Sequence, residues 1–195
     1  MNILYVHGLG SGKNSSTFEN IKKYFVDHNV FAVEINEDPW VSIVKIQKFV
    51  NENYIDIAIG CSYGAYCLSQ IDNLKYKFLV NPAFCLDRII KEKIGFGTYK
   101  FFCNREDMRQ TYKLNEKTIT DFCTNKDLYD GKNENSIILF SLNDEFVGDN
   151  IQLENVKFAI DNNFKIYLDN SFGHRINSNV LDIINKYIKE NNFNN

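Results

Sequence analysis

No apolar run in this 195-residue chain approaches the ~18–20 residues that span a bilayer, so no membrane span is expected. Charge of one sign is equally lacking. A formal net charge of -3, without any block of Lys or Arg, offers no cationic field to follow a phosphate backbone, and nucleic acid is not an expected partner. The start, Met1-Asn2-Ile3-Leu4-Tyr5-Val6, has neither the basic n-region nor the cleavage site of a secretory leader and reads as a strand. The five cysteines are odd in number, irregularly spaced and without a Cys-x-x-Cys pair. That speaks against a disulfide framework and for reduced thiols, so a cytoplasmic location is expected. Histidine is scarce too, with three in the chain. No grouping of His, Cys or carboxylates has metal-ligand spacing, and neither a metal nor a cofactor is expected. Nothing repeats at a fixed period.

What the chain does contain is an alternation of short apolar segments with helical patterns, at a length suited to one domain with a substantial core. Strands are predicted at Asn2–Val6, Val30–Ile35, Ile55–Ile59, Lys77–Val80, Ile137–Ser141 and Phe164–Leu168. Runs such as Ile137-Ile138-Leu139-Phe140 suit strands buried on both faces of a parallel sheet. Helices are predicted near Thr17–His28, Val41–Asn53, Tyr63–Ile71, Asn150–Asn162 and Ser178–Asn192. Ser16 with Glu19 reads as a capping box at the first helix start. Ile43, Val44, Ile46, Phe49 and Val50 form one apolar face at helical spacing. The pattern predicts a three-layer α/β domain with a mostly parallel sheet of about six strands.

One segment breaks the rhythm. Between Pro82 and Ile137 no strand is predicted, only weak helical pieces around Leu86–Lys93, Arg105–Tyr112 and Glu116–Cys123. Aromatics are scattered through it, among them Phe84, Phe96, Tyr99, Phe101, Phe102, Tyr112 and Phe122. An insertion this long is either a lid, its aromatics lining a cleft, or extra packing, its aromatics filling core. Residues 84–130 are therefore a candidate helical lid.

The most informative stretch is Ile55 to Tyr66, an apolar strand running into Gly60-Cys61-Ser62-Tyr63-Gly64 and then a helix-like segment. In that strand–turn–helix context a serine sits on a strained elbow with its hydroxyl exposed. Gly60 and Gly64 leave no Cβ to clash where the turn brings backbones together. Cys61, beside the candidate nucleophile Ser62, is expected to pack beneath the elbow rather than react.

A serine needs a base to take its proton and an acid to orient that base. His28 lies at the end of the first helical pattern, where an imidazole commonly caps or solvates. His174 lies in the loop after the last predicted strand, where the sites of open parallel sheets assemble, and is the candidate base. The order Ser…Asp/Glu…His puts the acid between them. Asp144, after the Ile137–Ser141 strand, is the candidate, with Glu145 beside it as the alternative. The oxyanion needs backbone donors. Tyr63 N–H would be one, and the other is expected from the loop His7-Gly8-Leu9-Gly10, as the amide of Leu9. His7 is expected to prop this loop. The same glycines do not make a nucleotide site. Counting back from Gly12-Lys13 places His7 where a Walker A motif needs glycine, and Lys13 stands where a dinucleotide fingerprint needs it.

Together, His7-Gly8, Gly60-x-Ser62-x-Gly64, Asp144 and His174 resemble the α/β-hydrolase superfamily. The opening strand-His-Gly-Leu, the Gly-Cys-Ser-Tyr-Gly-Ala elbow, Leu79-Val80-Asn81-Pro82-Ala83, Asn143-Asp144-Glu145-Phe146-Val147 and Gly173-His174 are similar to the small bacterial YqiA-like esterases. The resemblance implies a three-layer α/β-hydrolase fold and hydrolysis of a small-molecule acyl ester or thioester without a cofactor. A serine peptidase or an acyltransferase would use the same triad, since fold and triad do not choose the acceptor. A catalytically silent protein that only holds an acyl ligand is the reading from another class.

Overall fold

The computed structural model describes residues 1–127 and 135–191. Its centre is a parallel sheet of β1 (Asn2–Val6), β2 (Asn29–Val33), β3 (Ile57–Cys61), β4 (Tyr76–Val80), β7 (Ser136–Ser141) and β8 (Lys165–Asp169), ordered β2-β1-β3-β4-β7-β8. The inner strands β1, β3, β4 and β7 are short and apolar because both faces are covered, whereas the edge strands β2 and β8 are partly exposed. Alternate residues of each strand point to opposite sides, which divides the core in two. Leu4, Val6, Ala58, Leu79, Ile138 and Phe140 pack on one side against α2 (Pro39–Glu52), α3 (Tyr63–Ser69), α5 (Glu116–Asp127) and α6 (Asp149–Asp161). Their neighbours Ile3, Tyr5, Ile57, Ile59, Phe78, Val80, Ile137 and Leu139 pack on the other, against Ile21 of α1 (Ser16–Tyr24) and Val180, Leu181, Ile184 and Ile188 of α7 (Ser178–Glu190). Each buried Val, Leu, Ile or Phe among them contributes about 1.5–3 kcal/mol by leaving water.

The order of strands matters for function. The chain steps from β1 to β2 on one side and to β3 on the other, so strand order reverses between β1 and β3. Loops leaving the C-terminal ends of those strands diverge there and open a crevice. The His7–Gly10 loop follows β1 and Ser62 follows β3. Among the described residues no helix is long and apolar enough to cross a membrane.

Three expectations need correction. The first helix is capped by Ser15 rather than Ser16. Ser15 Oγ accepts the Phe18 N–H at 3.3 Å, and Glu19 N–H donates to the Ser15 carbonyl instead of closing a box with Ser16. The insertion is not purely helical. α4 (Leu86–Ile89) continues into one π-turn, Ile90–Ile94, and is followed by an antiparallel hairpin of β5 (Gly97–Lys100) and β6 (Thr111–Leu114). The stretch expected to be helical around Arg105–Tyr112 is the hairpin's long loop and the start of β6. Tyr112 and Leu114 are buried while Thr111 and Lys113 are exposed, a period of two too short to stand out from a helical pattern. The aromatics also divide: Phe84 and Phe122 are fully buried in the core around Tyr66, Phe158 and Phe164, whereas Phe96 and Phe102 are exposed. The end of the segment considered as a lid, residues 128–130, and position 192 of the last predicted helix lie outside the described residues.

Candidate active site

The elbow forms because β3 runs directly into α3 with no room between. Ser62 takes φ 54° and ψ -121°, a backbone conformation that a β-carbon disfavours and that costs on the order of 1–3 kcal/mol. It is held there by Ser62 N–H donating to the Val80 carbonyl at 2.9 Å and by Tyr66 and Ala83 N–H donating to the Ser62 carbonyl at 3.0 and 3.2 Å. The flanking glycines are obligatory. A Cβ at Gly64 would lie 2.2 Å from the His7 carbonyl oxygen, and one at Gly60 would lie 2.6 Å from Ala65 Cα. Cys61 is buried as expected, its Sγ 3.7 Å from the His174 carbonyl, and desolvation pushes its thiol up to about 12. A neutral thiol of this kind is a poor nucleophile.

His174 and Asp144 arrive on the loops after β8 and β7. His174 Nδ1 lies 2.8 Å from Asp144 Oδ2, and the Asp144 side chain is 1% exposed. Asp144 Oδ1 accepts the N–H of Phe146 at 3.1 Å and of Val147 at 2.9 Å, so both oxygens are fixed. With Nδ1 engaged, Nε2 is the ring nitrogen left for a second partner. The Phe146 ring packs on the imidazole with centroids 4.9 Å apart. Glu145, the alternative acid, turns elsewhere: its Oε2 accepts the backbone N–H of His174 at 3.0 Å. Gly173 makes that possible, since a Cβ there would lie 2.3 Å from the same oxygen. The two adjacent carboxylates therefore do different work, one on the ring and one on the backbone of the same residue.

The loop after β1 is braced from below. His7 is buried, with Nδ1 2.9 Å from the Gly8 carbonyl and Nε2 2.9 Å from Glu34 Oε1. It props the loop and does not line the main cavity. Gly10 sits at φ 73° with Tyr112 Oη where a Cβ would need to go, and its carbonyl accepts the Phe102 N–H at 2.9 Å. Leu9 lies between these fixed points. Tyr63 opens α3, so its N–H has no acceptor within the helix.

A charged network absent from the sequence reading ties the insertion to this loop. Arg105 and Glu34, each 1% exposed at the side chain, pair at 2.8 Å. Arg105 also donates to the carbonyls of Ser11 and Ile35 at 2.8 Å each, and its guanidinium stacks over Phe101. Burial would raise the Glu34 carboxyl, but hydrogen bonds from His7 and the Glu106 N–H, with Arg105 beside it, outweigh burial and hold it below its ordinary value. Arg105 likewise holds Asp107 well below the usual carboxylate range. Breaking this network by removing one partner would strand a buried charge. The signal was faint: Glu34 interrupts the run Phe31-Ala32-Val33-Glu34-Ile35, and nothing local names its partner.

Ser62, His174, Gly8 and Leu9 all line one cavity of about 620 Å³. Its insertion side is apolar, built by Leu86, Ile89, Ile94, Tyr99, Phe102 and Tyr112, while Lys93 and Arg175 are its cationic lining residues. Of the aromatics named in the insertion, Tyr99, Phe102 and Tyr112 line this space, whereas Phe84, Phe96, Phe101 and Phe122 do not. Among the described residues no three His, Cys, Asp or Glu side chains converge as metal ligands would. His28, near the end of α1, packs beside Phe25 away from the cavity.

Comparison with solved structures places this architecture. Est1E from Butyrivibrio proteoclasticus matches with a TM-score of 0.64 at 14% identity, over 99% of this chain and 87% of its own. Alpha/beta hydrolase domain-containing protein 10 from mouse matches at 0.66 and 10% identity, over 100% and 90%. A monoacylglycerol lipase from Paleococcus ferrophilus matches at 0.62 and 11% identity, over 96% and 92%. At these identities the likeness is one of fold, and the fold is the three-layer α/β-hydrolase fold. No curated protein matches the chain. The family comparison is more specific: its match runs from residue 2 to residue 163, through β1, the elbow and the Asp144 loop, and the chain belongs to the uncharacterised protein family UPF0227.

Proposed function

We propose that this protein is a serine hydrolase that cleaves a carboxylic ester or acyl thioester through an acyl-enzyme on Ser62. The observation that carries the proposal is the opening of a strained elbow serine and an Asp144-bound histidine onto one cavity. In the reaction, Nε2 of His174 takes the Ser62 hydroxyl proton as Oγ attacks the carbonyl carbon. The oxyanion is received by the N–H groups of Leu9 and Tyr63. Asp144 keeps the proton-bearing Nδ1 in place and stabilises the imidazolium. Collapse expels the alcohol or thiol, which takes the proton from Nε2. Water then gives a proton to Nε2 as it attacks the acyl carbon. Collapse breaks the bond to Oγ, which takes that proton back from Nε2, and releases the acid and free Ser62. No cofactor takes part. The five free cysteines suit a reducing cytosol.

The insertion supplies the acyl wall. Pinned by Arg105 at its loop, it is a fixed side of the pocket rather than a swinging lid. A volume of about 620 Å³ is that of a small-molecule site, and its apolar side suits a hydrocarbon chain. The test is a series of 4-nitrophenyl esters of increasing acyl length with Phe102→Ala. Phe102 is 74% exposed, so the substitution leaves the melting temperature nearly unchanged. The ratio of kcat/KM for long against short esters is expected to move roughly tenfold, since a methylene in such a pocket is worth about 1–3 kcal/mol. Phe122→Ala is the contrast. That ring is fully buried, and its loss costs about 3–5 kcal/mol of stability with the length preference unchanged. An unmoved profile in Phe102→Ala would remove the insertion from substrate selection.

A further inference from the structure

The turn Asn81-Pro82-Ala83 after β4 has no part in the chemistry above, yet it touches the elbow, the base loop and the root of the acid loop. Its backbone holds the elbow through Ala83 N–H, which donates to the Ser62 carbonyl, and Val80, just before it, accepts the Ser62 N–H. Its side chain reaches the other two loops. Asn81 is 2% exposed. Its Oδ1 accepts the N–H of Ser141 at 2.7 Å and Nε2–H of Gln152 at 3.2 Å. Its Nδ2 donates to the carbonyls of Gly173 at 3.0 Å and His174 at 3.2 Å.

A primary amide has two acceptor lone pairs and two N–H donors, and here all four have partners. Ser141 is the last residue of β7, at the root of the Asp144 loop. The two carbonyls belong to the backbone that carries the His174 ring. One rigid planar group therefore sets the separation between the acid loop and the base loop, and it hangs from the turn that also grips Ser62. The backbone at Asn81 has φ 44°, in the left-handed region that Asn enters more readily than most residues. A carboxylate in its place would aim oxygen at two carbonyl oxygens. An aliphatic side chain would forfeit all four bonds, the one from the buried Ser141 N–H among them.

We propose that Asn81 is a positioning residue, holding His174 at hydrogen-bond distance from Asp144. It touches neither substrate nor reacting atoms, and its effect on turnover rests on the function proposed above. Other ties bind the acid and base loops to each other, among them Ser141 O–H to the Phe172 carbonyl, Asn143 Nδ2–H to the Asn170 carbonyl and His174 N–H to Glu145. Cys61 Sγ, at the elbow, lies 3.7 Å from the His174 carbonyl. Asn81 differs from these in bonding to both loops from the turn after β4.

The test compares Asn81→Asp and Asn81→Ser with Asn125→Leu, a control that removes a buried amide bonded to Tyr66 and Gln70 far from the cavity. Three readouts are taken below each melting temperature: kcat, KM, and the downfield proton resonance of the His174 Nδ1–H bound to Asp144. Asn81→Asp is expected to lose kcat roughly 10²-fold with KM within about threefold, as a misplacement near 1 Å would cause. Its downfield resonance is expected to vanish. Asn81→Ser keeps one donor and one acceptor and is expected to lose about tenfold in kcat; it carries the test if Asn81→Asp does not fold. Asn125→Leu is expected to lower the melting temperature while kcat and the resonance stay. A folded Asn81 variant with wild-type kcat and an intact resonance would overturn the proposal. So would an Asn125→Leu protein that loses both, since any buried amide would then suffice. The resonance reports the His174–Asp144 bond without any substrate. Its loss in Asn81→Asp would uphold the positioning role even in a chain found not to hydrolyse esters.

Discussion

Ser62→Ala is expected to lower kcat/KM for a chromogenic short-chain ester by roughly 10⁴–10⁶-fold, the loss typical when one member of a cooperating triad is removed. The fold should not suffer. The Ser62 Oγ has no hydrogen bond capping α3, so the methyl side chain forfeits no native contact of that kind. A companion variant sharpens the result. Ser62→Gly removes the same hydroxyl and also the β-carbon that makes φ 54° costly, so it should be equally inactive yet raise stability by on the order of 1 kcal/mol. An inactive but more stable protein is what a residue kept in strain for function should give. Activity above a tenth of wild type in either variant would remove Ser62 from the nucleophile's role. The measurements are ester turnover and thermal or denaturant unfolding on the same samples.

Asp144→Asn is expected to reduce kcat/KM by roughly 10³–10⁴-fold, and Glu145→Gln by less than about tenfold. The difference follows from what each carboxylate touches. Asn at position 144 can keep the bonds from Phe146 and Val147 N–H through Oδ1. It then turns an NH₂ toward His174 Nδ1, which forces the proton onto the wrong nitrogen. Gln at position 145 retains a carbonyl oxygen for the His174 backbone N–H and leaves the ring alone. Ester turnover at saturating and sub-saturating substrate measures both. The opposite ranking would move the acid's role to Glu145.

The sheet was legible because its strands are the simplest case for pattern reading. Ile137-Ile138-Leu139-Phe140 is buried on both faces and apolar without interruption, and no helix-period pattern competes with it. The β5–β6 hairpin escaped because its inward positions, Tyr112 and Leu114, lie in a strand of four residues beside a polar loop. Ser62, Asp144 and His174 stood out as candidates from local context plus chain order, since each follows the C-terminal end of a strand of the parallel sheet. Leu9 and Tyr63 are candidates from the same frame, because their proposed role rests on backbone N–H groups that any side chain would leave in place. What stayed hidden depends on pairs remote in sequence. Glu34 meets Arg105 only once the insertion folds over β2, and Asn81 meets Gly173 only once β7 and β8 are laid beside β4. Glu145 was visible as a carboxylate, but its distinct task required Gly173 to bring the His174 N–H within reach.

The most direct test of an activated Ser62 is covalent labelling with a fluorophosphonate followed by mass spectrometry of the proteolytic peptides. Phosphonylation of the folded wild-type protein is expected at one site, Ser62, with strong slowing in Asp144→Asn and none in Ser62→Ala. A folded protein that takes up no label, or takes it up on another side chain, would contradict the assignment of Ser62 as the nucleophile.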